Sequence, residues 1–426
     1  MNHRLPTSAS PPFAQLLLEQ LPSSQKRGQS VQEVEPLAHL EYAEELALKE
    51  AALRKFWQTH HLHSFPESLL PSPKPRHYRT TTKRRVFAKG SSLVMGFKGG
   101  DRGSALPVSL LEPEPHTAIY RLILQKLTSP PYRLLIPHLN HVIVRGSYQE
   151  FTVILSVDRL NAEIVRKLKL IGEHLKGAGL SVISAFVLHD PTRSDYYLET
   201  HRPETGVSFK KLFGPDRLRV RFGDHSYLLG PTAFSQVNES MIPTMLQTAR
   251  QLLLKPNQPM PPNNAGRLLD LYCGYGLFAG HFANDFAEIV GIDYEQSAVE
   301  GAQQNARRLQ GEGQSGGRMR FVAGAITAAV LPRLLPRVDS RLIEFALLDP
   351  PRQGTAGGVV QAIAGRKPAR VLHIFCGVDV IPQQIQEWEE SGYTVDRVIP
   401  LDMFPGTPNL EVLVLLVPAH IGKEER

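Results

Sequence analysis

The sequence is short of cysteine, of long apolar runs and of negative charge. Two cysteines occur in 426 residues, Cys273 and Cys376, far apart in the chain. They make no disulfide framework and cannot supply the four thiolates of a zinc or iron–sulfur site. They leave open a free thiol acting as a nucleophile in a reducing compartment, and a cytoplasmic location is expected. The strongest apolar run, Val412 to Val417, is strand-sized rather than membrane-spanning. The N-terminus lacks an apolar leader core, and residues 1–30 read as a flexible Pro/Ser-rich tail with one apolar patch, Phe13 to Leu21. Forty-one acids face 48 Lys and Arg, a formal charge of +7, which favours polyanionic partners through counterion release. His60, His61 and His63 cluster near Trp57 with no thiol and only Glu67 as a close acid, so no metal is expected.

His39 to Trp57 is rich in Ala, Leu, Glu and Lys with apolar residues recurring at three and four, which predicts a helix. Four prolines in Phe65 to Pro75 end it. Lys74 to Arg102 then holds nine Lys or Arg against one acid, Asp101, with Tyr78, Phe87 and Phe97 interleaved. Short strands at Arg85–Phe87 and Leu93–Phe97 would make this a basic, aromatic sheet surface on which Lys83, Arg84, Arg85 and Phe97 meet phosphates and bases; the alternative is a solvated face with core aromatics. Residues 31–230 read as an N-terminal helix followed by an α+β region. Its strands are expected at His141–Arg145, Phe151–Val157, Leu180–Leu188, Leu218–Phe222 and Ser226–Leu229, and its helices at Ile119–Leu127 and Asn161–Lys176. Gly223 and Asp224 suit the turn between the last two strands.

Residues 231–426 have a different texture. Ser240 to Leu254 predicts a helix and Lys255 to Ala265 a Pro/Asn-rich connector. Seven strands then alternate with helical segments, at Leu268–Tyr272, Glu288–Asp293, Met319–Val322, Phe345–Leu348, Val371–Phe375, Val395–Ile399 and Glu411–Val417. Such alternation gives a largely parallel, doubly wound α/β sheet, and a turn in Asp402–Pro408 could return the last strand antiparallel.

Five stretches carry chemistry. Leu268 to Ala283, LLDLYCGYGLFAGHFA, is a strand, a turn at Gly274 and Gly276, and a new helix, where backbone can approach a ligand closely. Asp293 follows Gly276 by seventeen residues at the end of the next apolar strand, placed to accept both hydroxyls of a ribose. Gly274 to Ala279 formally fits a dinucleotide pattern, but the acidic, cysteine-containing DLYCGYG looks more like an adenosylmethionine site. Asp349 in LLDPPRQG reaches the C-terminal edge of the sheet, and Arg352 could hold a phosphate or a carboxylate. Cys376 in HIFCGVD follows another apolar strand to the same edge. Glu411 opens the last strand after DMFPGTPNL. In PTAFSQVNES, Gln236 suits a polar ligand and Asn238 a helix cap.

In this order the motifs resemble the RNA uracil-5-methyltransferases that make 5-methyluridine in tRNA or ribosomal RNA. That family shows F-F-Q-V-N, D-L-Y-C-G-x-G, D-P-P-R-x-G, S-C-N-P and D-M-F-P-x-T-x-H-x-E. Here they stand as FSQVN from Phe234, DLYCGYG from Asp270, DPPRQG from Asp349, FCGVD from Phe375 and DMFPGTPNLE from Asp402. The match covers about 231–417, with EYAEELALKEAALRKF and PRHYRTTTKRR more loosely similar to the tRNA-specific branch.

The resemblance implies a class I, seven-stranded methyltransferase fold, S-adenosylmethionine as cofactor, and RNA as partner, with tRNA favoured over ribosomal RNA. It makes Cys376 the nucleophile and Glu411 the base, and sets Gln236, Tyr272, Gly274, Gly276, Asp293 and Asp349 near the cofactor. It makes the α+β region within 31–230 the expected RNA-recognition region; ribosomal branches often add a four-cysteine iron–sulfur cluster, which two cysteines exclude here, and no metal, membrane or second copy of the chain is expected. The departures are Phe375, Gly377 and Val378 around the cysteine, Leu277 after the glycines, Asn409 before the glutamate and Ser235 in FSQ. They motivate the alternatives, a methyltransferase for another RNA position or an RNA-binding protein or chaperone with an impaired site.

Overall fold

A computed structural model describes residues 11–21, 35–89, 92–97, 105–194, 206–223, 225–254, 266–313 and 315–419. The rest of the expected tail, the Lys255–Ala265 connector, Asp224, and Lys98, Asp101 and Arg102 of the basic stretch lie outside the described residues. The chain divides into two compact units, one built within residues 28–39 and 73–242, the other within 1–27, 40–72 and 243–426. Two early helices, α1 (Phe13–Glu19), expected within the tail, and α2 (Tyr42–Thr59), expected with the region from residue 31, both belong to the second unit.

The first unit centres on a sheet of six strands: β1 (Thr81–Lys89), β2 (Ser92–Gly96), β3 (Leu139–Gly146), β4 (Phe151–Val157), β5 (Val182–His189) and β6 (Ser208–Phe213), in the order β2-β1-β3-β4-β5-β6. Helices α3 (Glu114–Thr128) and α4 (Ala162–Gly177) pack Ile119, Ile123, Ile164 and Leu168 against Val86, Val142, Val144 and Leu155. Asn161 caps α4 by accepting the Ile164 N–H at 2.8 Å. The opposite face carries a smaller apolar cluster of Ile143, Ile154, Phe186 and Leu188. A separate hairpin pairs β7 (Leu218–Phe222) with β8 (His225–Leu229).

The second unit is a seven-stranded sheet: β9 (Gly266–Leu271), β10 (Glu288–Asp293), β11 (Arg318–Ala323), β12 (Ile343–Leu348), β13 (Arg370–Phe375), β14 (Tyr393–Leu401) and β15 (Glu411–Pro418). Their order is β11-β10-β9-β12-β13-β15-β14. β9 to β13 run parallel, and β15 lies antiparallel between β13 and β14. Every residue of β9, β10 and β13 is buried, as expected of central parallel strands covered on both faces. The cover includes α5 (Ile242–Leu253), α6 (Leu277–His281), α7 (Gln296–Gly311), α8 (Leu331–Leu334), α9 (Val359–Ala364) and α10 (Ile381–Glu390). Strand order reverses at β9, between β10 and β12, and ligands bind at such a switch point.

The expected loose tail fails at Phe13–Glu19. Phe13, Leu16 and Leu17 of α1 are buried, Phe13 meets Phe56 of α2 edge to face at 6.2 Å, and its N–H donates to Asp379 Oδ1 at 2.7 Å. Beyond α2 the proline-rich segment runs along edge strand β14. The Glu67 and Leu70 N–H groups donate to the Val398 and Pro400 carbonyls, each at 2.9 Å, which covers an edge that would otherwise invite pairing with another chain. No helix among the described residues is long and apolar enough to cross a membrane.

Candidate active site

The loop after β9 is shaped by backbone that only some residues tolerate. Tyr272, Gly274 and Gly276 all have positive φ, 65°, 53° and 81°. The Tyr272 and Cys273 N–H groups donate to the Ile292 carbonyl, and the Gly274 N–H donates to Asp293 Oδ2 at 2.9 Å. Asp293 Oδ1 accepts the Glu295 N–H at 2.9 Å, so one carboxylate pins two loops together. A side chain at Gly276 would press on Ala302 and the Phe321 ring, whereas one at Gly274 would meet nothing within 4 Å. Gly276 thus serves close packing, and Gly274 borders open space.

Three acids converge at this switch point, from β9, β10 and β12. Asp293 is held above the ordinary carboxyl range by burial, against the pull of its N–H donors. Burial, with repulsion from Asp293, pushes Asp349 to about 7. Asp270, fully buried, is pushed to about 8 by burial and by Asp349 and Asp293, with the Ala279 N–H acting in the opposite sense. Tyr272 is raised to about 12, by burial first and Asp293 second. The sequence showed Asp270 only as part of a motif; its carboxyl is a full member of the acidic cluster.

Cys376 and Glu411 face one another across a strand pair. Phe375 is in register with Val412, so the next step brings the end of β13 to the start of β15. The Cys376 thiol, partly buried, donates to the Pro350 carbonyl at 3.8 Å. Burial, Glu411 and Asp349 all raise it, and Arg352 alone among its neighbouring charges lowers it. Glu411 is 1% exposed, and neither of its oxygens has a hydrogen-bond partner among the described residues. Burial and Asp349 hold it well above the ordinary range, again with Arg352 opposing. The Arg352 guanidinium lies 5.8 Å from the centre of the Phe404 ring.

The remaining sequence candidates fall in the first unit. Gln236 is buried there, and its backbone carbonyl accepts from the Thr80 hydroxyl. Asn238 does not cap a helix through a backbone N–H; its Oδ1 accepts from the Ser240 and Tyr148 hydroxyls instead. On β1, strand alternation separates the basic residues. Lys83, Arg85 and Phe87 share the face of Ile143, with Arg85 5.5 Å from the Phe87 ring centre. Arg84 points the other way and is 1% exposed, paired with Glu112 at 2.5 Å and lying between the rings of Phe97 (3.7 Å) and Tyr120 (5.2 Å). Arg84 is therefore enclosed and cannot serve as the expected RNA contact, and the Phe97 ring lies against its guanidinium. The sequence also gave no sign of a buried cluster formed by Tyr42, Glu45 and Lys49 of α2 with Asp402. Among the described residues no three His, Cys, Asp or Glu side chains are grouped to hold a metal.

Residues 202–419 match the family model described as tRNA (Uracil-5-)-methyltransferase. An uncharacterized RNA methyltransferase of Enterococcus faecalis is 24% identical over 399 residues, 91% of this chain and 81% of that one. One of Streptomyces coelicolor is 29% identical over 215 residues, 50% of this chain and 43% of that one. Among solved structures, Pyrococcus abyssi tRNA (uracil-54, C5)-methyltransferase in complex with S-adenosyl-L-homocysteine aligns over 89% of this chain and 85% of that one, with a TM-score of 0.63 at 18% identity.

Proposed function

The chain belongs to the tRNA (uracil-5-)-methyltransferase family, and on that premise we propose that it methylates carbon 5 of a uridine in RNA, with tRNA as the favoured substrate, through a covalent bond from Cys376 to the base. The observation that carries this reading is the pairing of a thiol with a buried, unpartnered carboxyl, Cys376 and Glu411, at the sheet edge that also bears Asp349.

The cofactor fits the residues present. Asp270, Asp293 and Asp349 repel one another and are held above the ordinary carboxyl range, which suits a ligand bearing cationic sulfonium and ammonium groups and opposes the pyrophosphate of a dinucleotide. Asp293 would take the ribose hydroxyls, Tyr272 and Gly274 would border the ligand, and Gly276 would keep its loop tight against α7. When bound, adenosylmethionine supplies an electrophilic methyl group.

Carbon 5 of uracil is a poor nucleophile until the ring conjugation is interrupted. The Cys376 thiolate adds at carbon 6, forming an S–C bond and an enolate whose carbon 5 can take the methyl. Glu411 then removes the proton from carbon 5, the double bond re-forms and the S–C bond breaks. Arg352, the cation beside both groups, favours their ionised forms. The target base must leave its stack to reach this edge.

The test separates the two side chains. Cys376→Ala should abolish methyl transfer and adduct formation. Glu411→Gln should transfer methyl yet stall before elimination, giving a slow-migrating protein–RNA band on denaturing electrophoresis that the added Cys376→Ala removes. Full activity of Cys376→Ala on cellular RNA would sink the covalent reading in favour of amino or ribose methylation.

A further inference from the structure

Helix α2 reaches the segment between β14 and β15 through a set of buried polar groups. Lys49, Glu45 and Asp402 are each 0% exposed. Lys49 Nζ spends all three protons, on Asp402 Oδ1 at 2.7 Å, Glu45 Oε1 at 2.9 Å and the Phe404 carbonyl at 3.1 Å. Glu45 Oε1 also accepts the Gly406 N–H at 2.5 Å. Tyr42 donates its hydroxyl to Asp402 Oδ2 at 3.0 Å and accepts the Ser72 N–H at 2.6 Å. The turn is thereby held at a side chain, a carbonyl and an N–H, over five residues that include the positive φ of Gly406 (80°).

A buried ion cluster is a poor device for stability alone, since apolar residues of similar volume commonly do as well or better; in some proteins its use is to specify one arrangement. The arrangement it specifies ends at the candidate active site. Phe404, whose carbonyl Lys49 grips, presents its ring to Arg352, and the same segment runs on to Glu411. Among the described residues the Glu411 carboxyl has no hydrogen-bond partner to fix it, so its position depends on the backbone that delivers it.

We infer that Lys49 is a positioning residue for the reaction, setting the 402–407 turn so that Glu411 and the Phe404–Arg352 pair meet the substrate. This rests on the role proposed above for Glu411. Lys49→Met, assayed as the full chain at saturating tRNA, should lower kcat per folded molecule at least thirtyfold, with KM for tRNA and affinity for adenosylhomocysteine within threefold of the parent. It should also accumulate the adduct expected of Glu411→Gln, because the nucleophile arrives on β13, which the cluster does not touch. A purely structural Lys49 would lower Tm and leave kcat per folded molecule within threefold, and that result overturns the inference. If Lys49→Met fails to fold, Tyr42→Phe decides by the same measure: a threefold to tenfold fall in kcat with affinities unchanged supports positioning, and an unchanged kcat rejects it. Absence of an adduct in Glu411→Gln counts against the covalent mechanism only; the Lys49 inference then stands or falls on kcat.

Discussion

Two side chains show how burial decides what a charge does. Arg84 looked like one of three adjacent basic contacts, yet its guanidinium is enclosed with Glu112. Arg84→Ala should therefore leave a carboxyl buried without its partner and cost about 3–5 kcal/mol, read from denaturant unfolding, while the salt dependence of RNA binding stays as it was. Asp270 makes the opposite case, a carboxyl with no cation to offset its burial. Its folded value of about 8 lies above its ordinary 3.8, so the folded state binds the extra proton. That contribution is complete below about pH 4 and is lost as pH rises toward 8 and beyond. Asp270→Asn mimics the protonated form at every pH. In the cofactor-free protein its Tm should match the parent near pH 4 and exceed it by a margin that widens as pH rises to 8, and a gain confined to acid pH would refute the assignment.

At the scale of elements, the seven strands of the second unit were legible because each is a short apolar run bounded by turn residues, and Glu288–Asp293 has the same bounds in sequence and structure. Strand β6, SFKKLF, was missed because two exposed lysines interrupt its alternation and its apolar residues are only half buried. Helix α1 was missed because seven residues do not make a stable helix alone; Phe56 and Asp379, distant in sequence, complete it. The motif edge of the site was likewise legible, whereas the Lys49–Asp402 pair spans 353 residues and leaves no local pattern. Gly377 gives one departure from the family a physical reason. A Cβ there would lie 2.4 Å from the Arg352 carbonyl, so the end of β13 and the DPPR loop are fitted to glycine. Gly377→Asn, though it restores the family residue, should lower both activity and stability, the latter by about 1–3 kcal/mol. A rise in kcat would show that the loop yields freely.

For the molecule as a whole, the excess of positive charge has a definite candidate outlet. Lys83 and Arg85 share the face of the first unit's sheet opposite α3 and α4, beside Phe87. The double variant Lys83→Ala/Arg85→Ala should weaken RNA binding and reduce the slope of log K against log salt by up to about 2. An unchanged slope would move the RNA surface elsewhere.

The sheet order sets a timetable for synthesis. β15 is the last of the seven strands to be made, yet it joins β14 to β13, so β14 cannot take its final place until β15 arrives. Its first residue is Glu411. The chain can pair β9 to β13, and with them bring together the acidic cluster and Cys376, before the carboxyl proposed to release the RNA has taken its place.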